Sequence, residues 1–213
     1  MACMSALSQT SARMLVTAES CERNKGPILE VLQRELVAAR SVLEIGSGTG
    51  QHAVHFAAHL PGLTWQASEV PALLPALEAR LRLAGSDRLP APLALDVRKL
   101  PWPGGPVDAL FSANTLHIMG MDGVRDFFRG AGAVLGPQGV LCVYGPFNYQ
   151  GRFTSDSNAQ FDAWLRARDA ASGIRDFEAL QELARAAGLA LHADHAMPAN
   201  NRTLVWRRAP AAS

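Results

Sequence analysis

The residues best suited to chemistry gather in Glu44-Ile45-Gly46-Ser47-Gly48-Thr49-Gly50. Closely spaced glycines let a backbone turn sharply between a strand and a helix and come close to a ligand. The dinucleotide fingerprint GxGxxG puts its third glycine at position 51, which here is Gln51, so the pattern reads as E-x-G-x-G-x-G instead. Acids recur at the ends of the next strands. Glu69, followed by Val70, is placed to accept two hydrogen bonds from a ribose diol. Asp96, followed by Val97, is placed to accept from an adenine amino group, and Glu44 to face an ammonium. Carboxylates at three strand ends, without a basic phosphate cradle, suit a cationic nucleoside. S-adenosyl-L-methionine carries both a sulfonium and an ammonium and is the expected cofactor.

Methyl transfer from a sulfonium is an in-line displacement with a neutral leaving group. Such a site mainly aligns the nucleophile and, for some acceptors, removes a proton. Asn114 and His117 follow the fourth strand, beside the expected methyl donor. His117 is the candidate base, since an unperturbed imidazole titrates near neutrality, and that role predicts a rate rising with pH. The competing reading is a histidine satisfied structurally at a helix start. Tyr144 ends the fifth strand and is expected in the same crevice. Phe147 and Asn148 lead into a polar loop whose Tyr149, Gln150, Thr154, Ser155, Ser157 and Asn158 are candidates to bond a small polar acceptor. Asn24 and Lys25, next to Arg23, are candidates for a lid. His52 borders the glycine loop. It shares a helix face with His55 and His59, but no carboxylate or cysteine completes a metal set, so no metal is expected. The Phe161/Trp164 stripe reads as core from its helical spacing.

These side chains need a scaffold that brings strand ends together. The pattern predicts strands over 41–45, 63–68, 92–95, 107–113 and 140–144, alternating with helices over 51–60 and 71–83 and one capped by Asp122. Pro27 is read as opening the first helix, after a loose arm over residues 1–22. Ser157 with Gln160 is read as a capping box, and Asp176 as the start of a later helix. Leu189 to Met197 and Arg202 to Trp206 are read as an antiparallel pair at the sheet edge, joined by a turn over 198–201. Alternating strands and helices imply an α/β, Rossmann-like, doubly wound sheet with helices on both faces.

Composition narrows the classes further. The 213 residues are 48% hydrophobic and 18% charged, which excludes a disordered chain. Lys and Arg total 20 against 19 Asp and Glu, so nothing marks a dedicated nucleic-acid binder. No apolar run reaches the ~18 residues of a membrane helix. Cys3, Cys21 and Cys142 lack CxxC spacing and read as free thiols, and a cytoplasmic location is expected. Alternatives to a small-molecule methyltransferase are a cofactor-binding protein without turnover, a protein or RNA methyltransferase, and a Rossmann oxidoreductase, which Gln51 weighs against.

The segments VLEIGSGTG, SE at 68–69, ALDV at 94–97 and FSANTLHIM at 111–119 resemble class I S-adenosylmethionine-dependent methyltransferases. More narrowly, ERNKGPIL at 22–29, YGPFNYQGRFTSDSN at 144–158, FDAWLRARD at 161–169 and PANN at 198–201 resemble the methyltransferase-like 26 family. The resemblance runs from Glu22 to Trp206. It implies a single domain over 23–213, with seven strands in the order 3-2-1-4-5-7-6 and strand 7 antiparallel. It also implies Asn24 and Lys25 as pocket residues and the 144–158 segment as the substrate side. The N-P-P-[YF] motif of many adenine and amide N-methyltransferases is missing from Asn114-Thr115-Leu116-His117, which argues against nucleic-acid or glutamine substrates.

Overall fold

The computed structural model describes residues 17–208. In chain order the elements are α1 (Glu19–Glu35), β1 (Ser41–Ile45), α2 (Gln51–His59), β2 (Thr64–Glu69), α3 (Leu74–Ala84), β3 (Leu93–Ala94), β4 (Val107–Ala113), α4 (Met121–Val134) and β5 (Leu135–Gly145). A short ribbon of β6 (Phe147–Asn148) and β7 (Arg175–Asp176) brackets α5 (Asp156–Arg168). Then follow α6 (Phe177–Ala186), β8 (Leu189–Met197), a 3-10 turn (Pro198–Asn200) and β9 (Asn201–Arg208).

The main sheet has seven strands in the order β3-β2-β1-β4-β5-β9-β8. The pairings are parallel except those of β9, which runs antiparallel to β5 and to β8. With β8 and β9 counted as the sixth and seventh strands, this is the expected Rossmann-like order. The central strands are apolar runs because helices bury both faces. On one face α1, α2 and α3 bring Ile28, Leu32, Phe56 and Leu77 onto Trp65 and Phe111. On the other, α4 and α6 bring Phe127, Phe128 and Leu180 onto Leu43, Leu110 and Trp206. This topology sets the ends of β1, β2, β4 and β5 along one rim, where open α/β sheets bind ligands.

Several local expectations need correction. The first helix starts at Glu19, so Pro27 lies inside it rather than opening it. Proline costs that helix one internal hydrogen bond, and contacts of its first turns with α2 hold it nonetheless. Of the expected arm, residues 1–16 lie outside the described residues, and Glu19 to Glu22 are helical. Ser155, not Ser157, caps α5, its Oγ accepting from the Asn158 amide at 3.2 Å. Asp122 lies in the first turn of α4, whose N-cap is Gly120. Trp164 is 52% exposed, so the core reading of the Phe161/Trp164 stripe fails. The buried side of α5 is Asn158, Asp162 and Leu165.

Candidate functional site

The glycine loop turns from β1 into α2 with Gly46, Gly48 and Gly50 all in the left-handed region that favours glycine. Their surroundings differ. A Cβ on Gly46 would lie 2.5 Å from Thr115 Cγ2, and one on Gly50 2.7 Å from Leu77 Cδ1, so both are packed against protein. A Cβ on Gly48 would meet nothing within 4 Å, so the loop faces open space there. Ser47 ties the loop to β2: its amide donates to the Ser68 carbonyl at 2.9 Å, and its Oγ accepts from the Ser68 amide at 3.2 Å.

Glu69 is held at the tip of this loop. One carboxylate oxygen accepts from the Gly48 amide and the other from the Val70 amide, each at 2.8 Å. Glu44, 1% exposed, accepts from Trp65 Nε1 at 2.9 Å. Burial pushes its carboxyl up to about 7; hydrogen bonds from Trp65 and Ser47 pull it down, and nearby Glu69 raises it. Asp96 is engaged differently. Arg98 forks onto it with Nε and Nη2 each at 2.9 Å, holding its carboxyl below the usual range. A ligand amino group there would share Asp96 with Arg98. Val97 is buried in the core.

A second group meets at Gly145, where β5 ends. A Cβ at this glycine would lie 3.8 Å from His117 Nδ1, 3.9 Å from Phe147 Cζ and 4.0 Å from Asn114 Oδ1. Asn114 adopts a positive φ and donates its amide to the Tyr144 carbonyl at 2.9 Å, which fixes this corner. His117 is nearly buried, and its ring makes no hydrogen bond among the described residues. Burial, with the Arg175 charge, pushes its imidazole down to about 4. It is therefore neutral over the ordinary pH range, and a rate that followed its titration would rise near pH 4 instead of near neutrality.

The structure separates most of the other candidates from this corner. Tyr144 belongs to the face covered by α1, beside Asn24, and burial raises its phenol. Asn24 Oδ1 lies 2.7 Å from His52 Nε2, so Asn24, His52 and Tyr144 form a polar seam under α1. Lys25 pairs with Glu22. Phe147 is a core ring whose tip reaches Gly145. The polar loop is largely spent on itself: Asn158 Nδ2 donates to Thr154 Oγ1 at 2.8 Å and to the Asn200 carbonyl at 3.3 Å, and Ser155 and Ser157 pair at 2.9 Å. Asn148 is an exception, with a buried Oδ1 that has no hydrogen-bond partner. The His55 and His59 rings lie 4.3 Å apart with planes tilted by 35°, and no metal-binding cluster of three His, Cys, Asp or Glu occurs among the described residues. Cys21 and Cys142 are free thiols, whereas Cys3 lies outside the described residues.

Two residues at the site had no recognised role in the sequence. Gln51 fastens α1 over the loop, accepting from the Ala18 amide at 2.6 Å and donating to Glu22 at 2.9 Å. Its signal was its place where a third glycine would stand. Arg175 donates to the carbonyls of Leu116 at 3.1 Å, Ala171 at 2.8 Å and Met119, bracing the segment that carries His117. No local pattern announces it.

A family model described as "Protein of unknown function (DUF938)" matches residues 15–208. The chain belongs to the DUF938 family. Solved structures similar to this DUF938 protein include an O-methyltransferase family protein from Burkholderia thailandensis. That match has a TM-score of 0.78 and 18% identity over 91% of this chain and 59% of the other. An O-methyltransferase family 2 protein from Planctomyces limnophilus, solved with apigenin, matches with a TM-score of 0.69 and 18% identity, covering 79% and 50%. PigF, solved with SAH, matches with a TM-score of 0.72 and 18% identity, covering 89% and 64%. The DUF938 protein thus has the Rossmann-like fold of class I methyltransferases and spans 50–64% of the length of these three chains. No helix among its described residues is long and apolar enough to cross a membrane.

Proposed function

We propose that this protein is an S-adenosylmethionine-dependent methyltransferase acting on a small molecule. The observation that carries the reading is Glu69, whose two oxygens are fixed by the Gly48 and Val70 amides beside the open space over Gly48. Each oxygen keeps a lone pair, so the carboxylate is pre-oriented for a ribose diol. Glu44 fits a cationic ligand, because a buried carboxyl gains from a positive neighbour. Gly46, Ser47, Gly50, Val70 and Val97 would shape the pocket, and Asp96 would take the amino group. The fold neighbours, including the one solved with SAH, support this reading. The likeness to the methyltransferase-like 26 family belongs to it, as do the single domain over 23–213, the lid role of Asn24 and Lys25 and a cytoplasmic location.

S-adenosylmethionine, when bound, supplies an electrophilic methyl group on a sulfonium. The chain's own residues align the acceptor. His117, neutral and with free ring nitrogens, takes a hydrogen bond from the acceptor's O–H or N–H at the Gly145 corner, and Asn114 Oδ1 limits its approach. Tyr144 supports the seam under α1 instead of touching the acceptor. Asn148 keeps a free oxygen for a donor group, while Phe147, Ser155 and Asn158 hold the walls in place.

Calorimetry tests the reading. S-adenosylhomocysteine should bind the wild type, and Glu69→Ala should weaken it by about 1.5–3 kcal/mol, as for hydrogen bonds to a charged group. Unchanged affinity in Glu69→Ala would remove the ribose role. Transfer of labelled methyl from S-adenosylmethionine into a fractionated metabolite extract then separates turnover from binding alone.

A further inference from the structure

An aromatic row leads away from His117. Its ring meets Phe161 at 5.2 Å with planes at 75°, and Phe161 stacks on Trp164 at 5.8 Å with planes at 17°. The Arg168 guanidinium closes the outer end, 4.5 Å from the Trp164 ring centroid. The row passes from a nearly buried imidazole to a tryptophan that is 52% exposed, and Ile118, next to His117, is 57% exposed. The other tryptophans, Trp65, Trp102 and Trp206, are all buried. Trp164 and Ile118 are therefore exposed apolar side chains on segments joined through His117 and Phe161, and the buried side of α5 needs neither Phe161 nor Trp164.

We propose that the methyl acceptor is a flat aromatic molecule with its nucleophile on the ring, its ring lying along the Phe161–Trp164 row and its nucleophile at the Gly145 corner. The inference rests on the methyltransferase reading above and names its substrate class. Continuity argues for it: ring contacts link the exposed end of the row to His117, whose Nδ1 lies 3.8 Å from where a Cβ on Gly145 would stand. Aromatic rings prefer offset or edge contacts with one another. The neighbouring polar loop argues the same way, since its hydroxyls and amides are bonded among themselves and leave little for a purely polar acceptor. The weak basicity of His117 adds a chemical reason. Such an imidazole can orient a phenol, which ionises near pH 10 as tyrosine does, but is poorly matched to an aliphatic alcohol. Arg168 adds a cation at the outer end that favours an electron-rich ring.

Catechol and cis-1,2-cyclohexanediol carry the same two hydroxyls and differ in having an aromatic or a saturated ring. Saturation-transfer NMR on the full chain with S-adenosylhomocysteine present should show catechol bound at least about 10-fold more tightly than the diol. Trp164→Ala, on the exposed face, should weaken catechol about 10-fold and leave S-adenosylhomocysteine affinity unchanged, and Phe161→Leu should do the same. Equal binding of the two diols, or indifference of catechol to both substitutions while S-adenosylhomocysteine still binds, would overturn the substrate class. Failure of S-adenosylhomocysteine itself to bind would instead overturn the methyltransferase reading beneath it.

Discussion

At the scale of single residues, stability and the proposed binding of a cation oppose each other at Glu44. Its carboxyl titrates near 4.5 when unfolded and near 7 when folded, chiefly because burial disfavours the charge. The neutral form is therefore the one folding prefers. That contribution is complete below pH 4.5 and lost as pH rises through 7, a difference of about 3 kcal/mol at 1.36 kcal/mol per unit. A cationic ligand reverses the preference by favouring the ionised form. Glu44→Gln keeps the shape and can never ionise. It should raise Tm by several degrees at pH 8 and change it little at pH 4. Calorimetry near pH 7 in buffers of different ionisation enthalpy should show the wild type releasing up to about half a proton as S-adenosylmethionine binds, and Glu44→Gln releasing correspondingly less. Equal Tm shifts at both pH values, with buffer-independent binding heats, would contradict this account.

At the scale of elements, β7 matters beyond its two residues, because its Arg175 ties together the carbonyls of Leu116, Met119 and Ala171. Arg175→Lys keeps the charge but loses the fork, and should slow turnover while the His117 ring still titrates near 4. Arg175→Gln removes the charge, so that midpoint should rise yet stay below 6.5, since burial is the larger cause. Following the His117 Cε1 proton by NMR across pH 3–8 decides it; an unmoved midpoint in Arg175→Gln would rule out the electrostatic link. Elements of this kind mark the limit of what could be read in advance. β1, β4 and the antiparallel pair β8–β9 were readable because burial and turn residues are written locally. The acids at the rim were readable because strand ends converge in this topology. The bond from Arg175 to Leu116 spans 59 positions, and no window of sequence contains both. The early start of α1 was hidden similarly, because Gln51 holds Ala18 from 33 positions away. Trp164 misled for a different reason: helical spacing marks a shared face but not whether that face points to core or solvent.

At the scale of the whole molecule, α1 joins the proposed site to the far edge of the sheet. It is 17 residues long, roughly 25 Å at 1.5 Å per residue. Its first turns meet Gln51 and His52 beside the glycine loop. Its last residue, Glu35, is buried against the β8–β9 hairpin, with His195 Nε2 at 2.9 Å, Arg207 Nη2 at 3.2 Å and His192 Nε2 at 3.5 Å. Glu35→Gln leaves Arg207 without its counter-charge. The partners are partly exposed, and water recovers some of the loss, so the expected cost is about 1–2 kcal/mol. For a chain of this size that lowers Tm by roughly 2–8 °C. Affinity for S-adenosylhomocysteine should stay within about twofold, because Gln51 and the Asn24–His52 contact pin the other end of the helix on their own, and sites far apart with no shared partners act additively. Thermal denaturation and calorimetry on the same variant read both quantities. If affinity falls along with stability, α1 docks as one rigid body, and the hairpin edge helps set how firmly the helix closes over the loop.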